Sequence, residues 1–347
     1  MSLLANTGTP LMWATMLHLF LGNALIGLLE GLLLSWLFKA PKRRSVPILI
    51  SANYVSASAG VFLFSSKITP FPDLTIETIG PWLVALVLIA FVITALFEYP
   101  FFWFILRKTE RTGTVLKATL AVNGISYVLL VAWYWMASGT SMITRLSVAP
   151  VGELVPAGDY FLYYVTPDGQ HVIHSNLAGN QRNEIQAAHA FDRDDRLLVR
   201  PHGTDRFDLL LLTQGDQEQK EQIISENTSG SAPFEEGLKN APSHPPYGTW
   251  FNFGPVLSFV PQSPWKFSTG FWAGEGIIGT DAKGRKIRFS IETPFVSWIV
   301  RNATQIEDTL VVFQLGNDQI CLLDTESKRI ALLARGKGPA VIKPTQL

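Results

Sequence analysis

Cysteine is almost missing: Cys321 is alone among 347 residues, so no intramolecular disulfide can form and the chain must rest on its own hydrophobic core. An excess of either charge is missing too, with 28 Lys and Arg against 28 Asp and Glu. That balance argues against a nucleic-acid partner, since phosphate binding needs a basic face. No Lys or Arg precedes the first apolar run, and the run is too long for a signal h-region, so no cleavable signal peptide is expected. Reaction signatures are also lacking. Gly336-Lys337-Gly338-Pro339 lacks phosphate-loop spacing, and neither a nucleophile elbow nor a zinc-protease helix appears. No catalytic residue is nominated, no cofactor is named, and enzymatic activity is not expected.

What is present divides into two solvents. From Pro10 to Gly139 Leu, Ile, Val, Phe, Ala and Trp dominate, and charges gather in short clusters. From Thr140 onward charges are scattered and turn residues frequent. The expected architecture is a membrane α-helical bundle over residues 1–139 and an extracytoplasmic all-β domain over 140–347. The expected spans are about 11–38, 46–64, 81–106 and 114–136, each near or above the roughly 20 residues that cross a bilayer. Trp13, Trp36, Trp82, Trp103, Trp133 and Trp135 lie toward span ends, where amphipathic rings favour the headgroup layer.

The loops orient the bundle. Lys39, Lys42, Arg43 and Arg44 join the first two spans without an acid, and Arg107, Lys108, Arg111 and Lys117 surround the third junction with only Glu110. The positive-inside rule puts both loops in the cytoplasm. The N-terminus and the β domain then lie outside a multi-pass protein of the cell membrane, the inner membrane and periplasm if the host is a bacterium.

The two helical hairpins carry an internal repeat. Glu30 precedes Lys39 by nine residues, and Asn53 and Ser56 follow; Glu98 precedes Arg107 by nine, and Asn123 and Ser126 follow. Nine residues of helix place each carboxyl roughly 13 Å from the basic loops. Asn and Ser three apart share a helix face, so four helices can direct polar groups at one intramembrane layer. A charged acid there costs about 2.5–3.5 kcal/mol on the more lenient scales, which turning inward or carrying a proton reduces. Two roles remain open: polar glue that sets helix register, which is common in membrane bundles, or a proton or cation site between repeats. His18, about three turns outward of Glu30, extends a proton path or sits at the interface. Ala52, Ser56 and Gly60 form a small-residue stripe that admits a neighbouring helix. Pro100 is expected to kink the third span.

The C-terminal half alternates with period two. Tyr160–Thr166 and His171–Asn176 flank a Pro-Asp-Gly-Gln turn, Arg196–Arg200 and Phe207–Thr213 flank a second turn, and a three-strand meander covers Leu310–Leu315, Gln319–Leu323 and Arg329–Ala334. Fourteen to sixteen strands fit, roughly, at the spacing of a propeller or sandwich. A small propeller closed by Thr144–Val148 against Ala340–Ile342 is the first expectation, a β-sandwich the alternative, with a long loop at about 225–248. His171 and His174 fall on opposite strand faces and cannot share one metal. Asp192, Asp194 and Asp195 lack an EF-hand's glycine and distal glutamate and read as a solvated turn. Cys321 reads as core.

These features imply a membrane-anchored binding protein or complex subunit, with the bilayer and a protein as partners of its two halves. The alternative is a proton- or cation-handling membrane protein built on Glu30 and Glu98.

Overall fold

The computed structural model describes residues 21–65, 74–108, 111–137, 140–141, 145–156, 158–192, 195–203, 205–214, 219–233, 254–270, 276–290 and 298–345. The outward half of the first expected span, with His18, lies outside them. The chain forms two compact units, Met1–Ser138 and Gly139–Leu347.

Among the described residues four helices build the first unit: α1 (Asn23–Phe38), α2 (Lys42–Ser65), α3 (Ile79–Leu106) and α4 (Thr112–Ala137). Two of them, Ile79–Leu106 and Thr112–Trp133, are long and apolar enough to cross a membrane. Lys39 ends α1 in the left-handed region at φ 54°, and Pro41 accepts the first amide bonds of α2 from Arg44 and Ser45. That short turn returns α2 antiparallel to α1. Packing runs round the bundle, α1 on α2, α2 on α3, α3 on α4 and α4 on α1. Leu34, Leu49, Phe102, Ile105, Val115 and Val122 fill its apolar core.

The close approach falls where the small-residue stripe did not predict it. Ala52 and Ser56 are buried, but open space surrounds Gly60. Gly27 and Gly31 of α1, four apart, instead bring that helix onto the α2 backbone. A Cβ on Gly27 would meet Ile50 Cα at 2.5 Å, and one on Gly31 would meet Val46 Cα at 2.6 Å. Backbone cannot step aside as a flexible side chain does, so only glycine fits.

The described residues of the second unit form four sheets. A four-stranded sheet has the order Lys337–Ile342, Phe161–Val165, His171–Asn176, Asn183–Ala187, antiparallel throughout. A six-stranded sheet carries the expected meander as Leu310–Leu315, Gln319–Asp324 and Arg329–Arg335. A three-stranded sheet pairs Arg196–His202, Arg206–Gln214 and Gln219–Ser229. The fourth, five-stranded, is centred on Ile277–Asp281. The four-stranded sheet lies between two others. Leu162, Tyr164 and Ile173 on one face pack with Val312, Ile320 and Leu322 of the six-stranded sheet. Tyr163, Val165 and Val172 on the other face pack with Phe207, Leu209 and Leu211 of the three-stranded sheet. Strand alternation thus serves two cores at once.

Two sequence expectations fail here. Ser147–Val148 does not meet Ala340–Ile342; it pairs in parallel with Arg329–Ile330, and no ring closes among the described sheets. Ala340, Val341 and Ile342 are buried on both faces and form the edge strand beside Phe161–Tyr163, covered by a core on either side. The short, exposed Ser147–Val148 is suited only to an edge. The loop expected from residue 225 begins later, because Ser225–Ser229 is still strand against Arg206–Leu209, with Asn227 at φ 47° and Ser225 and Thr228 hydroxyls 2.5 Å apart. Residues 234–253 lie outside the description. Cys321 is a buried core residue, as expected.

The glycine contacts set a matched pair of outcomes. Gly27→Ala must separate α1 from α2 and should lower stability by about 1–3 kcal/mol, the usual range for overpacking. Gly60→Ala, with open space around it, should leave stability unchanged or slightly raised. Thermal midpoints of the purified chain read both, and equal midpoints for the two variants would disprove the close approach.

Candidate functional site

The six residues expected in the polar layer, Glu30, Asn53, Ser56, Glu98, Asn123 and Ser126, are all buried. Glu30 is 1 % exposed and Glu98 and Asn123 are 0 %. Glu30 of α1 accepts Asn53 Nδ2 at 2.6 Å on Oε2 and Ser126 Oγ at 2.7 Å on Oε1. Glu98 of α3 accepts Ser56 Oγ at 2.9 Å on Oε1; the Asn123 side chain interacts with the same carboxyl, while Oε2 has no hydrogen-bond partner by geometry among the described residues. Each carboxyl is therefore approached by an asparagine of its own hairpin and a serine of the other.

Local geometry repeats as well. Asn53 Nδ2 also donates to Leu49 O at 3.0 Å, and Asn123 Nδ2 to Thr119 O at 3.1 Å, each four residues back. Ser56 Oγ stands 3.1 Å from Asn53 O, and Ser126 Oγ 2.9 Å from Asn123 O. These back-bonds hold the side chains on one helix face and leave amide and hydroxyl directed at the facing helix. Satisfaction is unequal, however. Both Glu30 oxygens are bonded, whereas Glu98 Oε2 and Asn123 Oδ1 have no hydrogen-bond partner among the described residues.

Chemically, the serines are the adaptable parts. A hydroxyl carries one hydrogen and accepts on its lone pairs. Facing an ionised carboxylate it donates across the bundle. Facing a protonated carboxyl it accepts that proton's hydrogen bond and turns its own hydrogen to the carbonyl three residues back. Both acceptors are in reach of both serines, so either protonation state can be satisfied without moving a helix.

Sequence reasoning missed two neighbours. Thr94 Oγ1 and Tyr127 OH are 2.9 Å apart, and Tyr127 lies within electrostatic range of both carboxyls. Thr94 stands four residues before Glu98 and Tyr127 directly follows Ser126, so helical spacing from the acids was the available signal.

The candidates in the β unit stay apart. His171 Nδ1 meets Glu184 Oε1 at 2.8 Å, while His174 is stacked on Tyr163 at 4.6 Å between ring centroids and edge-on to Phe161 at 4.8 Å. They share no site. Asp195 departs from the expected solvated turn: it is buried, and its Oδ2 accepts the Asp192 amide at 2.9 Å. It closes the turn as a structural cap. Asp194 lies outside the described residues. No His, Cys, Asp and Glu grouping suited to a metal occurs among those residues.

No protein-family model matches the chain, and no curated protein matches it in sequence. The geometry stands alone.

His174 makes the β unit sensitive to acid. Its Nε2 is buried without a hydrogen-bond partner among the described residues, and burial lowers its pKa below the ordinary value of 6.5. The stability associated with neutral His174 is present above that value and lost as pH falls through the lower folded value. The thermal midpoint of the β unit should fall from pH 7.5 toward pH 5, and His174→Phe should flatten that part of the profile. An unchanged slope in the variant would remove His174 as the cause.

Proposed function

We propose that the chain is a multi-pass membrane protein with four spans in two repeated hairpins, anchoring a β domain that docks a protein partner on the non-cytoplasmic face. The observation that carries this reading is the inverted distribution of polarity in the helical unit. Glu30, Asn53, Glu98 and Asn123 are inside, while Leu25, Val84, Leu96, Val128 and Trp133 are exposed. A water-soluble bundle arranges these classes the other way round. In lipid the arrangement is the economical one, because apolar surface faces hydrocarbon and polar groups bond one another.

The basic loops support the orientation: Lys39, Lys42, Arg43, Arg107, Lys108 and Arg111 are exposed at one end of the helices, and Arg44 is half-buried among them. For the β domain, blade-like hairpins in face-to-face sheets support a rigid platform whose connecting loops are free to meet a partner. Protease added to the outer face of spheroplasts should digest the chain beyond about residue 140 and spare 39–44 and 107–117. Protection of the β domain in sealed spheroplasts would reverse the topology.

A second reading, proton or cation handling at Glu30 and Glu98, is favoured by Glu98 Oε2 and Asn123 Oδ1, two buried acceptors lacking a donor. A proton or cation supplies what they lack. Glu→Gln at both acids keeps hydrogen-bonding capacity and removes the exchangeable proton. If the layer is glue, the double variant should fold and retain partner binding, because interhelical hydrogen bonds in membranes average about 0.6 kcal/mol. If the layer handles ions, proton or cation uptake into proteoliposomes should disappear with expression and thermal stability intact.

A further inference from the structure

The end of the bundle that carries the basic loops holds a feature the polar layer does not use. An open groove of about 490 Å3 runs between α2 and α3, lined by Pro47, Ile48, Ser51, Pro100, Phe101 and Phe104. Its walls offer little to water. Pro47 and Pro100 have no amide hydrogen, and the Ser51 hydroxyl is satisfied by Pro47 O at 3.0 Å. One end is strongly cationic. The Arg44 guanidinium lies 4.7 Å from the centre of the Phe104 ring, and the Arg107 guanidinium lies 5.0 Å from that same ring and 5.1 Å from Trp103.

Two like charges on one aromatic ring repel, and the ring's quadrupole compensates only part of that repulsion. Among the described residues, neither guanidinium has a carboxylate partner. Arg44 Nη2 donates to Phe104 O at 3.0 Å, which fixes it over the groove end and leaves other N–H groups of its fork available. An oxyanion is the ligand whose charge and geometry complete such a pair. Arg44 stands one helical turn before Pro47–Ile48, and Arg107 three residues past Phe104. An anion at the arginines is therefore directly continuous with the apolar groove.

We propose that this groove binds an anionic phospholipid of the cytoplasmic leaflet, with the phosphate at Arg44 and Arg107 and an acyl chain along Pro47, Ser51, Pro100 and Phe101. Charge complementarity selects this occupant over an apolar helix, which would leave two guanidiniums beside one ring without an anion. Basic pockets between transmembrane helices on the cytoplasmic side suit lipid headgroups for the same reason. The proposal rests on the membrane reading above, and it assigns Arg44 and Arg107 a role distinct from the general attraction of the basic loops.

The test uses the full chain purified in a neutral detergent, with phosphatidylglycerol or phosphatidylcholine added as the probe. Phosphatidylglycerol should raise the thermal midpoint and remain bound in native mass spectrometry, and phosphatidylcholine should do neither. Arg44→Gln with Arg107→Gln should cut retained phosphatidylglycerol at least threefold, whereas Arg111→Gln, in the same loop region but outside the groove, should not. Should the double variant fail to fold, Ser51→Trp at an exposed groove position should block the acyl chain and give the same loss with both charges in place. Equal retention of the two lipids, or equal loss in Arg111→Gln, would overturn the site and leave the membrane reading intact. A chain that stays monomeric in water without detergent would overturn the membrane reading itself.

Discussion

Two carboxyl groups in the middle of a helical bundle constrain everything around them. A buried acid must be hydrogen-bonded or protonated, since desolvating an unpaired charge costs more than the fold can supply. Glu30 is bonded by Asn53 of its own hairpin and by Ser126 of the other; Glu98 is bonded by Ser56, again from the other hairpin. The serine bonds thus cross the bundle in both directions. A slip of one hairpin past the other by a single turn, about 5.4 Å, would break both serine bonds and move both acids away from their partners. The register of four helices is set by a handful of hydrogen bonds, and the glycines at 27 and 31 bring α1 close enough to α2 for Asn53 to reach Glu30.

The members of this layer were legible in the sequence because ionisable residues are rare in apolar helices and because Asn and Ser recur three apart at matched offsets. Their pairing was not legible. Ser126 and Glu30 are 96 residues apart, and nothing local distinguishes that match from Ser126 with Glu98. The close helix contact was legible in principle, since Gly27 and Gly31 stand four apart in an apolar helix. The competing stripe at Ala52, Ser56 and Gly60 has the same spacing, and only two of its members are buried. Small residues at period four mark a face that can approach, and the neighbouring helix decides whether it does.

The same division between local and distant information runs through the β unit. Hairpins at Phe161–Asn176 and Leu310–Asp324 follow from turn chemistry: Gly169 holds φ 78° where a Cβ would strike Ala190 O at 1.9 Å, and Gly316 holds φ 65°. The pairing of Lys337–Ile342 with Phe161–Val165 joins the two ends of the unit, and no turn encodes it. Its physical cause is burial. Val341 contributes to one core and Ala340 and Ile342 to the other, so this strand is apolar on both faces and only a place between two sheets satisfies it. The opposite edge of that sheet obeys the converse rule. Asn183–Ala187 is exposed along its length and rich in polar side chains, which discourages pairing with another chain.

The near-symmetry of the helical layer also explains why its asymmetry matters. Two hairpins with the same offsets, the same back-bonded asparagine and the same hydroxyl position would be expected to satisfy their acids equally. They do not: Asn53 donates to Glu30 at 2.6 Å, whereas Glu98 Oε2 has no hydrogen-bond donor among the described residues. With Thr94 and Tyr127 hydrogen-bonded nearby, the second hairpin holds a richer polar neighbourhood around a less satisfied acid. Register needs only that both acids be held. An arrangement that fully satisfies one of them and leaves an acceptor on the other can hold register and still receive a proton or cation. The structural role and the proposed ion-handling role are therefore compatible in one layer: Glu30 has both oxygens hydrogen-bonded, and Glu98 keeps one acceptor open.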